Sequence, residues 1–174
     1  MKIARFYLSS DHNYVGHHGK PPGETPVREV EAIDCVAGQG IRGDRFFGHK
    51  ADYKGQITFF DLKVHRDLCE RFGIDPATKS PSLYRRNVLT CGIDLNSLIG
   101  VDFEVQGVRF HGVEECSPCY WMDQAFGPGA EEALRGSGGL RARILSDGEL
   151  HVDAGIAADA LAPPSIPTSP VSPS

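Results

Sequence analysis

The stretch Val113-Glu114-Glu115-Cys116-Ser117-Pro118-Cys119-Tyr120-Trp121 places two thiols three residues apart, where a strand-like run gives way to a helix-like one. A cysteine thiolate is both a nucleophile and a soft metal ligand, and the unpaired N–H groups at a helix start favour it over the thiol. Cys119 is the better placed of the two. It follows Pro118, a residue suited to a first helical turn, and it opens the candidate helix Cys119 to Phe126. Three other uses of the pair compete with an activated nucleophile. Either thiol could pack in a core, the two could supply half of a zinc site, or they could form a dithiol redox motif. A zinc site wants a second close pair, whereas Cys35, Cys69 and Cys91 stand singly. A redox motif of the thioredoxin kind belongs with regular strand and helix alternation, which this chain does not show.

Two further segments carry groups suited to an anion. In Gly38-Gln39-Gly40-Ile41-Arg42-Gly43-Asp44-Arg45 the glycines let backbone N–H groups turn toward a ligand, and Arg42, Asp44 and Arg45 project from the same turn. Guanidinium groups grip phosphate or carboxylate in a bidentate way. The plainer alternative is a structural loop in which Asp44 pairs with one of the arginines. Arg85-Arg86-Asn87-Val88-Leu89-Thr90 adds two guanidinium groups, an amide and a hydroxyl at a strand edge. On a regular strand Arg86, Val88 and Thr90 share one face and Arg85, Asn87 and Leu89 the other, so both arginines line one pocket only where the strand is irregular. His12, His17 and His18 lie in a loop with Gly16, Gly19, Pro21 and Pro22, without a further ligand at a metal-binding spacing, and read as a surface or pocket-rim loop. His65 and Cys69, at i and i+4, read as packing rather than a metal pair. No Walker loop, dinucleotide fingerprint or serine-hydrolase elbow is present.

The elements that must hold these groups are mostly short strands. Ile3–Leu8, Val27–Cys35, Gln56–Phe60, Asn87–Thr90, Phe103–Gln106, Val108–Val113, Leu140–Leu145 and Leu150–Val152 are rich in β-branched and aromatic residues and are punctuated by Gly or Asp. They predict a mainly β, mostly antiparallel body with peripheral helices, closed as a barrel. Val105-Gln106-Gly107-Val108 and Ser146-Asp147-Gly148-Glu149 predict hairpin turns. Asp61 is placed to cap a helix in which Leu62, His65, Leu68, Cys69 and Phe72 recur at helical spacing until Gly73 stops it. A second helical region from Cys119 is broken at Gly127-Pro128-Gly129, resumes through Leu134, and ends in Gly136-Ser137-Gly138-Gly139.

With 174 residues, 40% of them hydrophobic, the chain is long enough for one substantial core, expected over 1–161. The formal charge of −5 argues against a broad grip on nucleic acid and leaves room only for a local basic pocket. No apolar run suits a membrane span, and the N-terminus lacks the apolar stretch of a signal peptide. Five irregularly spaced cysteines fit a reducing, cytoplasmic setting. Residues 162–174, with five prolines and four serines and no charge, are expected to form a flexible tail.

Taken in chain order, four motifs resemble the MOSC family, named for the C-terminal domain of molybdenum cofactor sulfurases and shared by free-standing bacterial proteins. They are Gly40-Ile41-Arg42-Gly43-Asp44-Arg45; Arg86-Asn87-Val88-Leu89-Thr90-Cys91-Gly92-Ile93-Asp94-Leu95 with Leu98 and Gly100; Pro118-Cys119; and Gly139-Leu140-Arg141-Ala142-Arg143-Ile144-Leu145. The resemblance runs from about Val27 to Val152. It implies a MOSC-type β-barrel and a single cysteine, Cys119, that receives sulfur as a persulfide or ligates molybdenum held by the pterin dithiolene of molybdopterin, bound stably or in transit. Arg86, Asn87 and Thr90 match the stretch expected to meet the cofactor's phosphate and pterin, and Arg42, Asp44 and Arg45 the motif expected to shape the pocket rim. Cys116 is extra to the family pattern and would either resolve a persulfide or stand idle. Phe46 stands where the family often has histidine, and Val152-Asp153-Ala154-Gly155 where Gly-Asp often follows. The chain is too short for the aminotransferase-like domain of the large sulfurases, so no pyridoxal phosphate lysine is expected. The resemblance implies sulfur transfer with a cysteine desulfurase, or reduction of N-hydroxylated compounds with a redox partner. A non-catalytic module with an inert Cys119, or a Cys116 and Cys119 dithiol, are the alternatives.

Overall fold

The computed structural model describes residues 1–12 and 23–156. The expected tail over 162–174, His17 and His18 lie outside the described residues. Ten strands follow one another: β1 (Lys2–Leu8), β2 (Arg28–Val30), β3 (Ala32–Val36), β4 (Gly40–Ile41), β5 (Ile57–Asp61), β6 (Val88–Cys91), β7 (Asp102–Val105), β8 (Val108–Glu115), β9 (Leu140–Ile144) and β10 (Gly148–His151). Among the described residues three α-helices join them, α1 (Leu62–Arg71), α2 (Trp121–Phe126) and α3 (Ala130–Ala133), with short 3-10 turns between. The strands form a seven-stranded sheet in the order β2-β1-β6-β5-β9-β8-β7 and a three-stranded sheet in the order β10-β3-β4. The mainly β body with peripheral helices is thus as predicted, with backbone pairing that leaves two open sheets rather than one closed barrel.

Alternation along the strands sorts side chains between two cores. Ile3, Phe6, Phe59, Val88, Phe110 and Leu140 face the three-stranded sheet, where Ile33, Cys35, Ile41 and Leu150 meet them. Ala4, Tyr7, Phe60 and Leu89 face the other way and are covered by Leu62, Leu68 and Cys69 of α1 and by Met122, Ala125, Phe126 and Leu134. Burial of Phe6, Phe59, Phe60 and Phe110 is complete, each contributing about 2 kcal/mol of apolar transfer. All strand pairs are antiparallel except β5 and β6, and a parallel pair needs the long crossover that α1 begins. Asp61 caps α1 by accepting from Lys63 N at 2.9 Å, and the chain turns away at Gly73.

Two sequence expectations change here. Gln106 and Gly107 take positive φ and close the β7–β8 hairpin as predicted, but Ser146-Asp147-Gly148-Glu149 is not a hairpin. It carries the chain between sheets, because β10 pairs with β3 rather than with β9. The Asp147 carboxylate accepts from Ala37 N–H at 2.7 Å, and a Cβ at Gly148 would lie 2.6 Å from Val108 Cγ2. The glycine is there for space, not for a turn. The second helix starts at Trp121, after Tyr120, and not at Cys119. Met122 N–H bonds to the Cys119 carbonyl at 2.8 Å, so Cys119 belongs to the turn that leads in.

Candidate functional site

The two arginines of Arg85-Arg86 share one pocket because the chain is irregular where they stand. Arg85 has φ 61°, a left-handed conformation that costs a residue with a Cβ about 1 kcal/mol. That kink turns Arg85, Arg86 and Asn87 toward the same space before β6 begins at Val88. Together with Arg45, Ser9, Asp11, Ser82 and Trp121 they line a pocket of about 100 Å³.

Asn87 fixes one wall. It is 4% exposed, and its side-chain oxygen accepts from Thr58 N–H at 3.1 Å and Thr58 Oγ1 at 2.8 Å. Its Nδ2 donates to Asp44 Oδ2 at 3.1 Å and to the Tyr7 carbonyl at 3.4 Å. Asp44, 6% exposed, also accepts from Phe46 N–H at 3.1 Å and lies 3.6 Å from Arg45 Nη1. Its charge is therefore spent inside the protein, which is the structural pairing the sequence held open. Arg45 Nη2 reaches the Arg85 carbonyl at 3.4 Å, and its guanidinium lies over the Phe46 ring at 5.0 Å. Arg45 Nε is buried with no hydrogen-bond partner among the described residues. A buried cationic donor of that kind is a reason to expect an acceptor in the pocket. His12 packs its ring on Phe46 at 4.9 Å, and burial, then the Arg45 charge, holds its pKa below the ordinary value.

Behind the arginine pair Tyr84 is buried in the second core, stacked between Phe60 (4.0 Å) and Phe126 (5.1 Å). Its hydroxyl meets His65 Nδ1 at 3.1 Å, and His65 Nε2 meets the Pro76 carbonyl at 3.4 Å. A carbonyl can only accept, so Nε2 carries the proton and Nδ1 accepts from Tyr84. Burial lowers the His65 pKa and raises that of Tyr84. Cys69 Sγ lies 3.8 Å from the same imidazole, and the pair is packing, as its spacing suggested.

The two thiols of the Cys116 to Cys119 turn differ completely. Cys116 is 1% exposed, and burial pushes its thiol pKa up, with Arg86 and Arg141 opposing. Cys119 is exposed. Arg86 ties this turn to the pocket, with Nη2 donating to the Cys116 carbonyl at 2.9 Å, Nε to Gly138 O at 3.0 Å and Nη1 to Tyr84 O at 3.0 Å.

Of the residues singled out by sequence, Arg45, Arg86 and Asn87 line the pocket, Asp44 is buried and bonded to Asn87, and Arg86 joins the cysteine turn to the pocket. Two lie elsewhere. Arg42 is exposed, 3.8 Å from Asp34 and over the Phe47 ring at 5.5 Å. Thr90 is fully buried, its Oγ1 donating to Phe60 O at 3.2 Å. Ser9, Asp11, Ser82 and Trp121 were not foreseen. Trp121 had a signal, being the only tryptophan and two residues past Cys119; Ser9 and Ser82 had none, since contact across some seventy residues leaves no local pattern. Among the described residues no group of three or more His, Cys, Asp or Glu could hold a metal ion, and no helix is long and apolar enough to cross a membrane.

The fold itself is shared with solved structures. The YuaD protein of Bacillus subtilis superposes with a TM-score of 0.65 at 17% identity, over 87% of this chain and 91% of that one. YiiM from Geobacillus stearothermophilus gives 0.61 at 14% identity over 92% of this chain and 80% of that one. YiiM from Escherichia coli gives 0.60 at 14% identity over 88% and 67%. No protein-family model matches the chain, and no curated protein matches it in sequence. At such identities the likeness establishes architecture and leaves chemistry to the site.

Proposed function

We propose that this chain is a MOSC-type protein that engages the phosphorylated pterin cofactor of molybdenum, with an anionic group in the guanidinium pocket and Cys119 as the thiol that meets metal or sulfur. The observation that carries the proposal is the joining of an exposed thiol to an arginine pocket: the Cys116 carbonyl, at the base of the Cys119 turn, is bonded by Arg86, which itself lines the pocket with Arg45 and Arg85. The order of the four sequence motifs and the fold held in common with YuaD and YiiM support the same reading.

The residues present fit such a group in part of its extent. A pocket of about 100 Å³ has room for a phosphate and not for a ring system as well, so it suits the cofactor's anionic end. Arg45, with its buried unpartnered Nε, and Arg85 supply the charge. Without a set of three protein ligands among the described residues, a metal would arrive already held, and a single soft thiolate would complete its shell. When bound, the cofactor would supply redox chemistry at its metal or an acceptor position for sulfur. The chain's own part is to bind the anion, exclude water from Asp44 and Asn87, and present Cys119 to solvent.

Exposure of Cys119 also favours a sulfur-carrying reading. A desulfurase persulfide, R–S–S–H, would be attacked at its outer sulfur by the Cys119 thiolate, leaving Cys119–S–S–H and releasing the desulfurase thiolate. Cys116, buried and with a raised pKa, is poorly suited to resolve that persulfide. Either reading places the protein with a cytoplasmic partner, a desulfurase in one case and an electron donor in the other.

The test is anaerobic purification from cells that make molybdopterin, with metal and oxidised pterin measured in wild type and Cys119→Ala. Molybdenum and pterin in the wild type, both lost in the variant, are expected for stable cofactor binding. If the wild type holds neither, a 32 Da gain on Cys119 after exposure to a desulfurase and cysteine selects sulfur carriage, and its absence leaves an inert module and sinks both readings.

A further inference from the structure

The guanidinium of Arg86 has five N–H groups in a fixed plane, and three of them are committed to carbonyls of three separate segments. These are Tyr84 at the start of the kinked turn, Cys116 at the base of the thiol turn, and Gly138 in the loop before β9. The junction is tight on every side. Cys116 N–H bonds to Gly139 O at 2.8 Å, and Gly138 N–H bonds to Glu115 Oε1 at 2.9 Å. A Cβ at Gly138 would stand 2.1 Å from Cys116 O, so that carbonyl is pressed against the glycine loop. The same guanidinium lines the pocket, leaving two N–H groups for other acceptors.

We infer that Arg86 is a positioning residue that couples the pocket to the thiol: an anion held by Arg45 and Arg85 draws on the remaining Arg86 N–H groups, stiffens the three-way clamp, and thereby restrains the turn that carries Cys119. Arg45 and Arg85 supply affinity, and Arg86 transmits occupancy. This rests on the pocket's being an anion site, as argued above, and not on molybdenum or sulfur. The planar fork is essential to it. A lysine keeps the charge, but its three N–H groups radiate from one nitrogen and lack the planar fork that meets the three carbonyls from three separate nitrogens.

The experiment uses inorganic phosphate as the probe and iodoacetamide, an uncharged reagent, to read the thiol. Phosphate affinity is measured by calorimetry, and carbamidomethylation of Cys119 is timed by mass spectrometry with and without saturating phosphate, in wild type and Arg86→Lys. Saturation is expected to slow the wild-type reaction about fivefold, the lower range of a typical coupling between sites. In Arg86→Lys phosphate binds more weakly, through Arg45, Arg85 and the retained charge, and at saturation the alkylation rate no longer responds. If the slowing persists undiminished in Arg86→Lys, the anion acts through its field and the clamp is wrong. Because the variant could fold poorly, amide hydrogen exchange across residues 116–119 of the wild type gives a second reading. Slower exchange with phosphate is expected, and unchanged exchange overturns the coupling. Wild type that does not bind phosphate overturns it too. Molybdenum retention combined with an unresponsive thiol would reject the clamp while leaving the proposed function intact.

Discussion

Tyr84 and Asn87 hold the two ends of the arginine pair by opposite means. Tyr84 is gripped by rings, stacked between Phe60 and Phe126, with one hydrogen bond to a neutral imidazole. Asn87 is gripped by polar groups alone, bridging Thr58, the Asp44 carboxylate and the Tyr7 carbonyl. An aromatic stack is tolerant, since each contact is weak and many share the load. A buried polar hub is not, because removing one member strands the others without water. Between a tolerant anchor and an intolerant one sits Arg85, in a conformation its side chain disfavours. The pocket's geometry is therefore decided at the Asn87 end, where loss cannot be absorbed.

The largest effect is therefore expected from Asn87→Ala. It leaves both Thr58 donors and the buried Asp44 carboxylate short of partners, and the loss should be about 3 kcal/mol. Urea unfolding would show it as a lower midpoint at constant slope. A loss near that of an ordinary surface substitution would mean that the polar hub absorbs the change as readily as the ring stack. The clamp's third support comes next. In Gly138→Ala the new Cβ meets the backbone carbonyl oxygen of Cys116, and relief requires moving the thiol turn, at about 2 kcal/mol. The same unfolding series, with Cys119 alkylation timed alongside, should show a stability loss and a changed thiol rate together.

This contrast was only partly legible in the sequence. Asp61, Leu62, Leu68 and Gly73 announced α1 because capping and 3.6-residue periodicity are local, and the alternating strands announced a mainly β body for the same reason. Asp44, Arg45, Arg86 and Asn87 were legible as chemistry-bearing residues, but their roles were not. Nothing in Asp44 says that Asn87, forty-three residues later, will donate to its carboxylate, and nothing in Arg86 says that carbonyls rather than a ligand will occupy three of its donors. The same limit hid the sheet change at Gly148, where a dipeptide suited to a turn serves a close approach to Val108. Cys116 and Cys119 look alike in sequence, and nothing local to them says that the first is buried, with its backbone paired to Gly139, and the second exposed.

Tyr84→Phe perturbs the end held by rings. The ring stack survives and only the hydroxyl goes, leaving His65 Nδ1 without its donor at a cost of about 1.5 kcal/mol, half that expected for Asn87→Ala. Thermal unfolding of the two variants in parallel measures the ratio, and equal losses would mean that the ring anchor is no more tolerant than the polar one.

The smallest effect comes from protons and also belongs to the Tyr84 end. Burial lowers the His65 pKa below the ordinary 6.5, so as pH falls through that value the unfolded chain takes up a proton that the folded imidazole refuses. Stability is then complete above the unfolded pKa and declines below it. The sign is that of an unfolded state binding more protons. His65→Gln should flatten that part of the curve, since glutamine neither titrates nor needs to stay neutral. A pH dependence between 7 and 5.5 that is the same in wild type and His65→Gln would move the proton-sensitive group elsewhere, and would leave the Tyr84 anchor held by its rings alone.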